Sequence, residues 1–205
     1  MRLHTKLTIA AITMLVATTA RADVIFSDDF DTSGGSILDW DGGANWSVMN
    51  GSVDLVANGE YSINCLFNTG HCVDMDGTTN PRAAGELMSI NLGPLAAGDY
   101  EFSYWLSGNQ RNGATDIVVA MSMGSGGHIS SAVHSLSGDV WHQFTQSFTL
   151  RVVTDPLHLD FSGIGGDNIG LILDNVSLTR VPEPGTLALL GLGLLGIGAA
   201  RRRRT

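Results

Sequence analysis

Carboxylates are the residues of this chain best suited to do chemistry, and they gather at two places in the sequence. The stretch FSDDFDTSG carries Asp29 and Asp31 beside a flexible loop, and LILDNV places Asp174 in an otherwise apolar segment. Carboxylate oxygens are the hard ligands that Ca²⁺ prefers. These three residues predict a structural calcium site, with the alternative that Asp174 is satisfied by hydrogen bonds from the backbone or from an arginine.

A second candidate site surrounds Trp40 in the segment LDWDGG, within a glycine-rich loop. The C–H faces of sugar rings stack on exposed aromatic side chains, and Asp39 and Asp41 can accept hydrogen bonds from sugar hydroxyl groups. The segment therefore predicts a carbohydrate-binding loop. The alternative is that Trp40 packs into the core, as tryptophans of small β-domains commonly do.

No motif of an enzyme active site is found in the sequence. It lacks a G-x-S-x-G elbow, an H-E-x-x-H pair, a phosphate-binding loop and a C-x-x-C pair. The segment GSGGH, around Ser125 and His128, is typical of a turn between two strands. We therefore expect no catalytic residues, with a glycan hydrolase that uses an unrecognised pair of acids as the remaining alternative.

Two cysteines, Cys65 and Cys72, stand in the segment NCLFNTGHC. An even number of cysteines in an exported chain predicts a disulfide, and Asn68-Thr69-Gly70 between them is typical of a turn. A metal site that includes the neighbouring His71 is the rival, but two cysteines and one histidine fall short of a tetrahedral set.

Short strands must position all of these residues, because apolar and polar residues alternate through most of the chain. The segment DYEFSYWLSG places Tyr100, Phe102, Tyr104 and Leu106 on one face. In ATDIVVAMSMG the alternation predicts a face made of Ile117, Val119 and Met121. The strand candidates are DVIFSDDF, NWSVM, SVDLV, HCVDM, GELMSINL, DYEFSYWLSG, ATDIVVAMSMG, WHQFTQSFTLRV, PLHLDFSG and NIGLILDNVSLT.

Turn-forming Gly, Asn and Asp residues separate these strands, and no helical segment intervenes. This pattern predicts an all-β fold, a two-sheet antiparallel β-sandwich. The segment NIGLILDNVSLT is apolar on both faces, which predicts a central strand.

The two ends of the chain differ from this body. Residues 1–22 have a basic start, an apolar run and a small-residue cleavage site, which predicts a secretory signal peptide. Residues 23–181 then form one domain, because this length suits a single core. The domain holds four arginines against nineteen acidic residues. Such a charge repels nucleic acid and anionic lipid, so we expect no nucleic-acid partner.

The segment 182–205 ends the chain. An apolar run over 187–200 predicts a short transmembrane helix, about 21 Å long at 1.5 Å per residue. By the positive-inside rule, the arginines that follow place the tail in the cytoplasm and the body outside. Those arginines are Arg201, Arg202, Arg203 and Arg204.

The order of three features here resembles the PEP-CTERM sorting signal of exported bacterial proteins. They are Pro182-Glu183-Pro184, the apolar run 187–200 and the final arginines. The resemblance implies export across the inner membrane of a Gram-negative bacterium, a transient membrane anchor, and cleavage near the prolines by an exosortase-type protease. It also implies a link with exopolysaccharide and biofilm at the cell surface or in the extracellular matrix. A permanent anchor that is never cut is the alternative.

The body resembles the galactose-binding-like jelly-roll domains, through the segments NWSVMNGSVDLVANGEYS, CVDMDGT, GDYEFSYWLSGNQR and DNIGLILDNVSLT. This resemblance implies a jelly roll and a structural calcium that joins the first strand region to the position of Asp174. The leading prediction is a non-catalytic exported protein that binds or organises exopolysaccharide. A structural or adhesive matrix protein without a sugar site is the alternative.

Overall fold

The computed structural model describes residues 22–78, 83–182 and 193, and this part of the chain is mostly β-structure. Its strands are β1 (Asp23–Asp28), β2 (Trp46–Asn50), β3 (Asp54–Ala57), β4 (His71–Asp74), β5 (Glu86–Ser89), β6 (Gly98–Ser107), β7 (Asp116–Gly124), β8 (Gly127–Leu136), β9 (His142–Leu150), β10 (Leu157–Ile164) and β11 (Ile172–Val181). Two short 3₁₀ turns, Glu60–Ser62 and Leu66–Asn68, lie between β3 and β4.

The predicted signal peptide, apart from Ala22, and the predicted transmembrane helix over 187–200, apart from Gly193, lie outside the described residues, as do Glu183, Pro184 and the four final arginines. In the part of the chain that is described, no helix is long and apolar enough to cross a membrane.

The strands form two antiparallel sheets. The six-stranded sheet has the order β3-β4-β11-β6-β9, with β1 paired to β11, and the five-stranded sheet has the order β2-β5-β10-β7-β8. The prediction of an all-β, two-sheet antiparallel sandwich is confirmed. Strand β11 is central, as its apolar faces indicated, because it pairs with β6 along one edge and with β4 and β1 along the other.

The core lies between the two sheets and is filled by alternate residues of each strand. The predicted inward face of β6 is buried as expected, since Tyr100, Phe102, Tyr104 and Leu106 are all at most 1% exposed. Phe161 of β10 faces them from the other sheet, with its ring centre 5.1 Å from that of Tyr104. The aromatic contacts fix the two sheets against each other.

Two strands differ from the sequence prediction. In β7 the buried residues are Val118, Ala120 and Ser122, so Ile117, Val119 and Met121 lie on the outer face instead. The inward positions of β7 hold smaller side chains because the large rings of β6 and β10 already occupy the space that they face. No strand candidate was defined over β8, although the turn predicted at GSGGH implies a strand after it, because the serines, alanine and histidines of β8 give only a weak apolar alternation.

The pairing of β1 with β11 positions the candidate site. Asp28 at the end of β1 pairs with Val176, so the loop after β1 begins beside the middle of β11. The ladder between β11 and β6 has a bulge between Asp174 and Ser177, where Asn175 adopts a left-handed φ of 46°. A bulge twists its strand and redirects its side chains. The end of β1 and the bulged middle of β11 therefore lie side by side in the six-stranded sheet.

Candidate functional site

A cavity of about 610 Å³ lies beside the chain that links β1 to β2. Asp39, Trp40 and Asp41 line it, together with Phe30 and Asn45. The structure thus brings the three residues of the predicted carbohydrate site to one cavity. Its volume lies in the range of pockets that take small ligands, about 300–1,000 Å³.

Trp40 is half-buried in the wall of this cavity. Its backbone N–H donates to the carbonyl of Val53 at 2.9 Å, and its ring meets that of Phe30 edge to face, with centres 6.1 Å apart. The chain turns sharply after it at Gly42, where φ is 98° and a Cβ would lie 2.5 Å from the carbonyl of Trp46. Only glycine fits this turn. The loop therefore holds one side of the Trp40 indole against the core and leaves its remaining surface facing the cavity.

The carboxylates around the cavity differ in how they are bonded. Asp28 accepts hydrogen bonds from the Trp46 indole N–H at 2.9 Å, the Asn45 amide at 2.8 Å and the Phe30 backbone N–H at 2.8 Å. These bonds give Asp28 a structural role. Asp39 and Asp41 are exposed, although Asp41 also accepts the N–H of Gly43 at 3.0 Å and so closes the loop. An aromatic ring beside exposed acceptors suits a neutral ligand with hydroxyl groups.

The predicted calcium ligands are only partly brought together: among the described residues, the oxygens of Asp29, Asp31 and Asp174 do not all lie within 4.8 Å of one another, although the charges of Asp29 and Asp31 reach Asp174. Asp174 is only 3% exposed, and its oxygens accept the backbone N–H groups of Asn175 at 2.7 Å and Leu66 at 3.0 Å. Burial raises the pKa of Asp174 to about 7, the two backbone bonds oppose this rise, and the nearby charges of Asp31 and Asp29 add to it. A carboxylate has about four lone-pair positions, so each of these groups retains acceptor capacity for a cation.

Cys65 and Cys72 are joined by a disulfide, which closes the loop that carries the second 3₁₀ turn. Sulfur atoms of both cysteines and a carboxylate oxygen of Asp174 lie within 4.8 Å of one another. Sulfur binds metal strongly only as a thiolate, and these sulfurs are bonded to each other. The cluster is therefore a structural contact and does not form a cysteine metal site.

A second acidic group organises the loop between β10 and β11. Asp76 is completely buried, and its Oδ2 accepts the backbone N–H groups of Gly166 at 2.6 Å, Asp167 at 3.1 Å and Asn168 at 3.3 Å. Beside it, Asp74 is paired with Arg111, yet burial outweighs that charge and raises the pKa of Asp74 to about 7. Sequence reasoning did not foresee this network, because the loop residues lie about ninety positions from Asp76.

Another pair of carboxyls, Asp160 and Glu86, was also missed. Asp160 is completely buried, and neither of its oxygens has a hydrogen-bond donor among the described residues. Burial raises its pKa to about 7, and the nearby carboxyl of Glu86 adds to the rise. The acid and the second carboxylate of a glycosidase must both reach the sugar that lies between them. Asp160 is completely buried, so it does not form such a pair with Glu86.

Comparison with family models finds one match, to the PEP-CTERM protein-sorting motif, at residues 180–204. The match begins two residues before the predicted segment and overlaps the end of β11. No curated protein matches the chain.

Solved structures match the fold of the body. The CBM22-1 xylan-binding domain of Xyn10C from Paenibacillus barcinonensis has 14% identity and a TM-score of 0.52, with 82% of this chain and 100% of that chain covered. The CBM22-1–GH10 modules of xylanase 10B from Clostridium thermocellum, complexed with xylohexaose, have 14% identity and a TM-score of 0.51. There 79% of this chain and 29% of that chain are covered. The protein therefore carries a PEP-CTERM protein-sorting motif at residues 180–204, C-terminal to a jelly-roll β-sandwich with the architecture of carbohydrate-binding modules.

Proposed function

We propose that this exported protein is held at the membrane for a time by its C-terminal segment, is released by an exosortase-type protease, and then binds exopolysaccharide in a biofilm. The sorting motif supports the route. The observation that carries the binding function is the cavity in which Trp40 stands between the exposed carboxylates of Asp39 and Asp41.

The chemistry of this cavity favours a neutral polysaccharide. A sugar ring has an apolar C–H face that can stack on the indole, while its hydroxyl groups can donate to the two carboxylates. The domain has four arginines against nineteen acidic residues, so an acidic polysaccharide would be repelled. The fold shared with a xylan-binding domain is consistent with a saccharide ligand.

The proposal is of a binding protein without catalytic activity. Hydrolysis of a glycosidic bond needs an acid and a second carboxylate on either side of the bond. The raised pKa of Asp160 belongs to a buried group that a polysaccharide cannot reach.

We further propose that a structural Ca²⁺ is held by Asp29, Asp31 and Asp174. Three carboxylates in one region repel one another, and a bound cation would turn this repulsion into attraction. The effect of Asp29 and Asp31 on the pKa of Asp174 supports such proximity. The ion would tie the loop after the first strand to the last strand, and its proposed ligand Asp31 also lines the Trp40 cavity.

A glycan array tests the binding function. The full chain would be exported, purified in mild detergent, and compared with Trp40→Ala and with Tyr61→Ala. Tyr61 is an exposed aromatic residue that lies outside the Trp40 cavity and so serves as a matched control. Binding to neutral glycans by the wild type and by Tyr61→Ala, with its loss in Trp40→Ala, is the expected result. If the wild type binds no glycan on the array, the protein is better described as a structural or adhesive matrix protein.

A further inference from the structure

An exposed pair of aromatic rings lies on the outer face of the six-stranded sheet, away from Trp40. Phe67 is 73% exposed, and its ring centre is 6.2 Å from that of Trp105 on β6, with the two planes at 64°. The rings therefore form a corner that is open to solvent. Single exposed apolar residues are common on protein surfaces, so this exposure is not sufficient to indicate a site.

The backbone of Phe67 supplies a second observation. Its φ of 59° lies in the left-handed region, where a bulky side chain is rare and strained. The conformation is imposed by its neighbours. Leu66 is buried below and donates its N–H to Asp174 at 3.0 Å, and the N–H of Asn68 bonds to the carbonyl of Cys65 at 2.9 Å. A rigid, disulfide-closed loop thus holds the Phe67 ring outside the core, where it adds little to stability.

A cavity of about 350 Å³ adjoins the corner and supplies the third observation. Trp105 forms its apolar wall. Its polar lining includes Asp29, Ser103, Gln143, Asn175 and Ser177. Ser103 and Ser177 share a hydrogen bond of 2.8 Å between their hydroxyl groups, across the bulged pairing of β6 with β11. Amides, hydroxyls and the carboxylates of Asp28 and Asp29 therefore surround an indole.

We propose that this corner and the adjoining cavity form a second saccharide-binding subsite, in which a neutral sugar unit packs against the corner formed by Phe67 and Trp105. It rests on the proposed saccharide binding and extends it to a second surface. The rings would pack against the C–H face of the sugar, and Gln143 and Asn175 would bond its hydroxyl groups. The domain carries nineteen acidic residues against four arginines, which disfavours an anionic ligand.

The second subsite is separate from the Trp40 cavity. The two cavities have only Asp28 in common, and this carboxylate is occupied by hydrogen bonds on the Trp40 side. Two subsites on one domain raise the effective concentration of a polysaccharide that contacts both. A chain long enough to bridge them would bind more tightly than a short oligosaccharide.

The four tryptophan indole N–H signals of the full chain, observed by NMR in mild detergent, test the proposal. Xylohexaose, cellohexaose and laminarihexaose serve as probes. Trp46 and Trp141 are internal controls, because their indole N–H groups are bonded within the protein. We expect saturable shifts of both the Trp40 and the Trp105 signals with at least one probe.

The variant Phe67→Asn separates binding from folding. Asparagine tolerates the left-handed conformation, so the variant should melt no lower than the wild type. It should weaken the Trp105 titration about tenfold, the loss expected when one stacked ring is removed, and leave the Trp40 titration within about twofold. The variant Trp40→Ala should leave the Trp105 titration in place.

Each outcome decides between the two sites. A Trp105 signal that shifts while Trp40 does not supports the second subsite and contradicts the assignment of the first. Shifts of Trp40 alone, or a Trp105 titration that Phe67→Asn leaves unchanged, overturn the second subsite and leave the proposed function standing. If neither signal shifts with any of the three probes, both are wrong.

Discussion

The carboxyl group of Asp160 lies on the same outer face of the five-stranded sheet as that of Glu86, its diagonal neighbour across the pairing of β10 with β5. Asp160 stands in register between Met88 and Met121 and is completely buried. Burial disfavours the charged form of a carboxyl, and a second carboxyl nearby disfavours it further. Both effects raise the pKa of Asp160, so the fold holds its proton more tightly than the unfolded chain does.

The raised pKa of Asp160 predicts that Asp160→Asn raises stability at alkaline pH. The pKa of Asp160 is about 7 in the fold and 3.8 when unperturbed. Between about pH 4 and 7 the unfolded chain has already released this proton, whereas the fold still holds it. A rise in pH through this range therefore lowers the free energy of unfolding of the wild type. The amide introduced by the substitution can still donate to Glu86. Thermal melts should favour the variant at pH 8 by on the order of 2 kcal/mol, after allowance for partial solvation, and show no difference at pH 4.

Glu86→Gln is the matched control, because it removes the charge that raises the pKa of Asp160 and keeps the shape of the pair. It should weaken the dependence of stability on pH without abolishing it. Parallel melting curves of wild type and Asp160→Asn across the whole pH range would refute the raised pKa of Asp160.

Calcium removal should destabilise the protein. An ion that binds only the folded state stabilises it by about 2.7 kcal/mol at a hundredfold excess over Kd. Addition of EGTA should therefore lower the melting temperature of the wild type, and Asp174→Asn should remove most of this difference. Asp139→Asn, which changes an exposed acid far along the chain, should keep the calcium response. Equal melting temperatures in EGTA and in millimolar calcium would show that Asp174 is held by its backbone hydrogen bonds alone.

The sorting motif predicts the mass of the mature protein. From a host with an exosortase-type protease, the released form should lack Arg201 to Arg204, because cleavage is expected near Pro182-Glu183-Pro184. Replacement of both prolines by alanine should leave an uncut chain at the inner membrane, since proline keeps the segment extended for the protease. Intact mass spectrometry decides the question: a released form that retains the arginines contradicts processing.

Loss of the disulfide should destabilise the loop that carries Phe67. The chain-entropy model assigns roughly 2.5 kcal/mol to a loop as short as that between Cys65 and Cys72. The double variant Cys65→Ala, Cys72→Ala should therefore show a lower denaturation midpoint.

Alkylation of exported protein without reductant should label no cysteine, and protein made in a reducing cytoplasm should be labelled twice. Two labelled thiols in the exported form would contradict the disulfide.

Local patterns explain what the sequence could predict. The four large residues of β6 alternate without interruption, so its inward face is evident from the sequence. In β7, by contrast, Val118 and Ala120 face the core although Ile117 and Met121 are larger, because the space is set by the aromatic rings of β6 and β10. Strand β8 has no strong apolar face, and it forms because an edge of the sheet is available to it.

The same distinction applies to the sites. Asp39, Trp40 and Asp41 are neighbours in the chain, so one short segment was enough to predict their cavity. Phe67 and Trp105 come from a loop and a strand that are far apart in the sequence, and only the fold brings their rings together. Contacts of this kind depend on strand order and register, which alternation does not specify.

The position of β11 has a mechanical consequence. This strand pairs with β6 on one edge and with β4 and β1 on the other, and its last pair is Val181 with Asp99, next to Pro182. The hydrogen bonds of antiparallel ladders lie across the strand direction. A pull on the chain beyond Pro182 therefore acts along β11 and loads both ladders in shear, so that many bonds share the force. While the domain is held by this end, drag on a bound polysaccharide would be resisted by the centre of the sheet instead of peeling strands from its edge.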